Sequence, residues 1–211
     1  MARGASRFPQ VQRHLEAELA RKGVTRVAGI DEAGRGPLAG PVVAAAVILP
    51  PPWSLPGLDD SKRLPARARE RLYELIHRAA VAIGVGVAEP GEIDRLNIHR
   101  ATLQAMARAV AQLHAAPQYL MVDGRHAPPL PLPCQTVVDG DACVASIAAA
   151  SIIAKVTRDR LMAAYHHDYP QFNFLRNKGY ATREHREAIR RFGLCPIHRR
   201  SFAPQRTLWD R

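Results

Sequence analysis

Two adjacent carboxylates, Asp31 and Glu32, end the apolar run Val27-Ala28-Gly29-Ile30 and pass at once into Ala33-Gly34-Arg35-Gly36-Pro37. A strand that delivers acids to a sheet edge, followed by glycines that let backbone approach a ligand closely, suits metal-dependent chemistry on a phosphate. Taken alone, an Asp-Glu pair before a turn is more often a capped loop. Two further acidic sites shift that balance. Tyr119-Leu120-Met121-Val122-Asp123-Gly124 has the same form, an apolar run ending in a carboxylate and a glycine, and Asp139-Gly140-Asp141 follows the short run Gln135 to Val138. Carboxylates gathered together repel, and they stay ionised at neutral pH only where a cation offsets their charge; an oxygen-only set points to Mg2+ or Mn2+.

The elements that must position these acids are legible as alternating runs. Residues 11 to 22 carry a narrow apolar stripe at Val11, Leu15 and Leu19, with Gly23 placed to end a helix. The strand to Asp31 follows. Val42 to Leu49, bounded by Pro41 and by Pro50-Pro51-Pro52, reads as a buried strand. Pro65 suits the first turn of a helix to about Ala80, Val81 to Val87 is a third strand, and Pro90 to Leu96 reads as a short turn. Helical periodicity runs from Asn97 to Ala115 and again from Ser146 to Tyr165, with a last helix from about Thr182 to Phe192. Three strands in succession, then helix, strand, strand and helices, predict an α/β fold, a mixed sheet flanked by helices.

Composition narrows the partners. The 211 residues carry 30 Lys and Arg against 19 Asp and Glu, a formal charge of +11 spread along the chain, which implies a polyanion. Cys134, Cys143 and Cys195 lack metal-site spacing and read as free thiols of a reducing compartment. No apolar run approaches the ~20 residues of a membrane span, and Met1 to Pro9 lacks a signal-peptide core, so a cytoplasmic location is expected. The nine histidines show no metal-ligand pattern, and a hard cation would not select them.

Asp31-Glu32-Ala33-Gly34-Arg35-Gly36-Pro37-Leu38-Ala39-Gly40-Pro41 closely resembles ribonuclease HII, and later segments agree in order. These are Ser61-Lys62-Arg63-Leu64, Asn97-Ile98 with Ala101-Thr102-Leu103, Val122-Asp123-Gly124, Gly140-Asp141, Ser146 through Lys155-Val156-Thr157-Arg158-Asp159, Lys178-Gly179-Tyr180 and His198-Arg199-Arg200-Ser201-Phe202. The resemblance spans roughly residues 26 to 203. The sister family, ribonuclease HIII, usually carries an extra N-terminal domain and lacks Gly-Arg-Gly, which favours HII here.

The resemblance implies a ribonuclease H-like mixed five-stranded sheet with Asp31 on its central strand, in a single catalytic domain over residues 1 to 211. A helical C-terminal region from about residue 166 would help hold substrate. It implies that Asp31, Glu32, Asp123 and Asp141 bind Mn2+ or Mg2+ and carry a two-metal hydrolysis. In sequence alone Asp139 and Asp141 are alternatives; the family's Gly-Asp pair selects Asp141. Gly34, Arg35 and Gly36 match the loop whose backbone recognises a 2′ hydroxyl, and Tyr180 matches a tyrosine that packs on the following sugar. Lys62, Lys155, Arg158, Lys178, Arg199 and Arg200 are candidate phosphate contacts, each of which could instead be a solvated charge. The implied substrates are RNA/DNA hybrids and duplex DNA containing ribonucleotides, cut by a monomer on the 5′ side of the ribonucleotide to leave a 5′ phosphate and a 3′ hydroxyl. A non-catalytic hybrid-binding module on the same fold is the rival reading. His198 lies in a matched segment with no role assigned.

Overall fold

The structure is a computed structural model that describes residues 14 to 202 except 54, 59, 60, 62 and 63. Five strands, β1 (Val27–Ala33), β2 (Val42–Ile48), β3 (Ala82–Ala88), β4 (Tyr119–Asp123) and β5 (Cys134–Val137), form one sheet in the order β3-β2-β1-β4-β5. β1 is the central strand. It runs antiparallel to β2 and parallel to β4, which in turn runs parallel to β5, so the sheet is mixed as expected. Among the described residues seven α-helices accompany it: α1 (His14–Arg21), α2 (Ala66–Ala79), α3 (Pro90–Leu96), α4 (Ile98–Ala111), α5 (Ala145–Asp168), α6 (Phe174–Asn177) and α7 (Arg183–Phe192). The stretch 90 to 96, read from sequence as a turn, is the helix α3. Its Pro90 occupies the first helical turn, where a missing N–H costs nothing.

Strand alternation sorts the core into two layers. Ala28, Ile30, Ala44, Ala46, Ile48, Leu120 and Val122 pack against Ala101, Ala105, Met106 and Ala109 of α4. The opposite pleat, Ala45, Val47 and Leu49, packs against α5 and against Leu72 and Ile76 of α2. β2 is buried on both faces, which is why it reads as a continuous apolar run. The first half of α5 is buried all round, so it too lacks a polar stripe. Gly29 makes this packing possible, because a Cβ there would overlap the backbone of Ser146 and Ile147.

The N-terminus of α5 has no side-chain cap of its own. Glu16 of α1 supplies one from a distance, with Oε1 accepting the Ser146 N–H at 3.0 Å and the Ser146 hydroxyl at 2.6 Å. A carboxylate there also meets the positive end of the helix dipole. A separate cluster, Leu38, Ala39, Met162, Phe172, Phe174, Ala188, Ile189 and Ile197, joins α6 and α7 to the far half of α5. No described helix is long and apolar enough to cross a membrane. All three cysteines are thiols.

Candidate active site

The alternation that places Ile30 and Val122 against α4 turns Asp31 and Asp123 toward α5. Ile30 pairs with Val122 across the parallel β1 and β4, so the two acids stand side by side on one face near the C-terminal ends of these strands, where parallel strands open a crevice; Asp123 ends β4, whereas β1, expected from sequence to end at Asp31, runs on to Ala33. Asp31 is buried, its Oδ1 accepting the Glu32 N–H at 2.7 Å. Burial pushes its carboxyl well above the ordinary range, and the charges of Glu32 and Asp123 push the same way. The Ser151 hydroxyl on α5 opposes this by donating to the carboxylate. Ser151 Oγ also lies 2.8 Å from Ser61 Oγ, so Ser61 donates to Ser151 when Ser151 donates to Asp31.

Asp123 Oδ1 accepts the Gly140 N–H at 2.7 Å, which ties the end of β4 to the 3-10 turn Gly140–Ala142 following β5. That turn carries Asp141, which is buried, whereas Asp139 is exposed in a left-handed conformation. The Cys143 thiol is raised by burial and then by Asp139, Asp141 and Asp123, whose charges share this corner of the molecule. Glu32 lies on the other pleat at the strand end, half-buried, with Oε1 3.3 Å from Arg35 Nη1. Among the described residues no three His, Cys, Asp or Glu side chains are gathered closely enough to hold a metal ion as they stand. The donor chemistry of Asp31, Glu32, Asp123 and Asp141 is that of hard oxygens, the kind Mg2+ and Mn2+ select, and the charges of Glu32 and Asp123 that add to burial in raising the Asp31 carboxyl are ones such a cation would offset.

Gly34 has φ +98°, and a Cβ there would overlap the Arg158 side chain. The loop from Gly34 to Gly40 is bolted from three sides. Arg158 on α5 donates to the carbonyls of Pro41 (2.9 Å), Lys178 (3.0 Å) and Ala39 (3.1 Å). Arg199 donates to those of Gly40 (2.9 and 2.8 Å), Arg35 (2.9 Å) and Gly34. The third side is backbone, with the Leu38 N–H donating to Gly179 O at 2.8 Å and the Gly40 N–H to Ile197 O at 2.9 Å. Gly36 and Arg35 stay exposed on the outer side of the loop, Gly36 beside Tyr180, which is 47% exposed. A Cβ on Gly36 would lie 3.7 Å from Tyr180 Cε1, so the glycine and the ring border one surface.

Two expectations are thereby corrected. Arg158 and Arg199 are 1% and 0% exposed and their guanidinium groups are consumed by carbonyls, so neither reaches a phosphate. Burial lowers the pKa of both, Arg199 to about 9 with Arg158 nearby, yet both stay charged at neutral pH. The described basic candidates that remain near the surface are Lys155, Lys178 and Arg200; Lys62 lies outside the described residues. Lys155 Nζ is 2.6 Å from Asp159 Oδ1, and Lys178 Nζ is 3.5 Å from the Asp159 carbonyl. Arg69, which the sequence analysis passed over, lies 3.8 Å from the same carboxylate and donates to Ser61 O (3.1 Å) and to Leu64 O, so it ties both residues to α2. Three cations around one acid leave a net positive patch. Burial, with Lys155, Arg158 and Arg69 adding to it, lowers the Lys178 pKa against the pull of Asp159. Asp94 of α3 anchors Arg200, accepting the Arg200 and Ser201 N–H groups at 2.9 Å each.

Comparison with known proteins agrees with this geometry. The family model for ribonuclease HII matches residues 28–205. Ribonuclease HII of Syntrophus aciditrophicus is 60% identical over 194 residues, covering 92% of each chain. The crystal structure of ribonuclease H2 from Pyrococcus horikoshii superposes with a TM-score of 0.75 at 27% identity, over 88% of this chain and 97% of that one. Bst-RNase HIII, solved in complex with Mn2+, has a TM-score of 0.74 at 20% identity over 99% of this chain and 75% of that one, a likeness of fold alone. With its mixed sheet centred on β1 and a family match over most of its length, the chain belongs to the ribonuclease HII family, endoribonucleases that act on RNA/DNA hybrids.

Proposed function

We propose that the protein nicks duplex DNA on the 5′ side of embedded ribonucleotides, as well as cutting the RNA strand of hybrids, and so serves to remove misincorporated ribonucleotides. The observation that carries this reading is the shared surface of Gly36 and Tyr180 beside the acidic strand ends. Exposed backbone at Gly36 can meet a 2′ hydroxyl, the group that separates RNA from DNA, and the Tyr180 ring can pack on the next sugar.

Asp31, Glu32, Asp123 and Asp141 would hold Mg2+ or Mn2+, the chemistry of their oxygen donors suiting either ion. When bound, a pair of such ions lowers the pKa of an attacking water and stabilises the leaving 3′ oxygen. The chain's own contribution is position. Ser151 and the Gly140 N–H orient Asp31 and Asp123, and Arg158 and Arg199 hold the glycine loop against the crevice. Lys155, Lys178 and Arg200 would steady the backbone of the duplex without reading bases. We further read the protein as a cytoplasmic monomer and the whole chain as one catalytic domain.

The test maps the cleavage position on a DNA duplex holding one ribonucleotide, with Mg2+ and Mn2+ compared. A single nick 5′ to the ribonucleotide, leaving a 3′ hydroxyl, is the expected result. Cleavage of long hybrids with the one-ribonucleotide duplex left intact would overturn the junction reading.

A further inference from the structure

Behind Tyr180 and the glycine loop lies a pair of buried histidines that hydrolysis itself does not use. His185 stands in the first turn of α7, and His198 on the segment that bridges to Ala39; they are 0% and 2% exposed, with their Nε2 atoms 3.1 Å apart. The outer nitrogens face backbone partners that fit one tautomer of each ring. His185 Nδ1 lies 2.8 Å from the Tyr180 carbonyl, which can only accept, so Nδ1 carries the proton and Nε2 is bare. His198 Nδ1 lies 3.0 Å from the Cys195 backbone N, 3.1 Å from its Sγ and 3.3 Å from its carbonyl; with the shortest of these, the N–H, donating to Nδ1, the His198 proton is on Nε2 and is donated to His185 Nε2. All four ring nitrogens are then satisfied in one neutral arrangement. The rings of Phe172 and Phe174 pack against both imidazoles.

The two ends of this pair belong to the two elements that border the candidate sugar site. His185 holds the carbonyl of Tyr180, which also accepts the Thr182 N–H at 2.8 Å. His198 lies between Ile197, whose carbonyl accepts the Gly40 N–H, and Arg199, whose guanidinium holds the carbonyls of Gly34, Arg35 and Gly40. The imidazole contact therefore couples the Tyr180 turn to the glycine loop through the core.

We infer that His185 and His198 are a pair of positioning residues that holds Tyr180 at its distance from Gly36 and so sets the preference for an RNA-to-DNA junction over a uniform hybrid. The inference rests on the proposed reading that Gly36 and Tyr180 meet the sugars at that junction. His198→Leu removes both nitrogens at similar volume. His198→Gln keeps a donor for His185 Nε2. His185→Asn keeps a donor for the Tyr180 carbonyl and cuts the link between the rings.

The experiment measures kcat and KM separately on a one-ribonucleotide duplex and on a uniform hybrid, in the wild-type and Tyr180→Ala backgrounds, with the melting temperature of each variant. His198→Leu should lower the junction-to-hybrid ratio of kcat/KM by about tenfold, and His198→Gln should restore most of it. In the Tyr180→Ala background, His198→Leu should lower the ratio no further, because coupled residues are not additive. Where His198→Leu does not fold, His185→Asn takes its place with the same expectations. Equal loss on both substrates, or a second full drop in the Tyr180→Ala background, would overturn the inference and leave a purely structural pair. If Tyr180→Ala alone leaves the ratio unchanged, the reading of Tyr180 falls and the inference falls with it. If Tyr180→Ala lowers the ratio and the histidine variants do not, the inference alone falls.

Discussion

An amide in place of Asp31 or Asp123 keeps the shape of the side chain and removes the charge that a divalent cation needs. Asp31→Asn and Asp123→Asn should abolish cleavage and largely spare duplex binding, read by cleavage and binding assays on the same hybrid. Burial separates the two acids of the Asp139-Gly140-Asp141 turn. Asp141→Asn should be severe and Asp139→Asn mild, and the reverse ranking would move the assignment to Asp139. The two buried arginines make a different forecast from the surface cations. Arg199→Met strands several carbonyls in the core and should cost on the order of 3 kcal/mol in chemical denaturation. It should leave the salt dependence of duplex binding unchanged. Lys155→Ala or Arg200→Ala should instead weaken all duplexes alike and reduce the salt slope by about 1.

The elements are joined by contacts that cross long stretches of chain. Helix α5 lies on β1 beside Asp31, and its first turn is held by Glu16, 130 residues earlier. Losing a cap of this kind typically costs about 1 to 2 kcal/mol, and the dipole adds to it where the carboxylate is buried. Glu16→Ala should therefore lower stability by about that amount in urea titration, with Glu16→Gln between the two. The C-terminal elements work differently. α7 carries few buried residues of its own, His185, Ala188 and Ile189 among them, and its attachment runs through the Phe172, Phe174 and histidine cluster.

For the whole molecule, a charge of +11 makes duplex affinity fall steeply with salt whatever the sequence of the duplex. The histidine pair adds a pH dependence to stability. Burial and the neighbouring His185 hold His198 at about 4, below the 6.5 of an exposed histidine, and burial lowers His185 as well. The unfolded chain binds the proton first as pH falls. The stability present above pH 6.5 should thus be lost between pH 6.5 and 4, by roughly 3 kcal/mol for His198. Asp31 acts in the opposite direction, because its raised carboxyl takes up a proton earlier in the folded state than in the unfolded one. Denaturation across this range for wild type and His198→Leu shares every carboxylate, so the difference between the two curves reads the pair. A difference that does not change with pH would refute the neutral assignment.

Strand alternation, the proline that opens α2, and the acids and glycines near the ends of β1 and β4 are local signals, carried by residues within a few positions of each other. They sufficed for where the strands lie along the chain and for the acids near the ends of β1 and β4, although β1 runs two residues past Asp31, and the family motifs named the loop. Local signals failed at Pro90–Leu96, where a helix of seven residues is too short to show a period. They could not tell Arg158 and Arg199 from Lys155, since all are basic residues in matched segments. Only the tertiary structure decided that two of these cations lie in the core, because all but one of the carbonyls that receive them come from residues 117 to 165 positions away. The same holds for His185 and His198, whose spacing of thirteen matches no motif. Their protonation follows from an acceptor at Tyr180 and a donor at Cys195, and packing of α7 against the C-terminal segment brings those four groups into line. Residue type and spacing determine what a side chain can donate or accept, and burial with its partners determines which of those capacities is left for substrate.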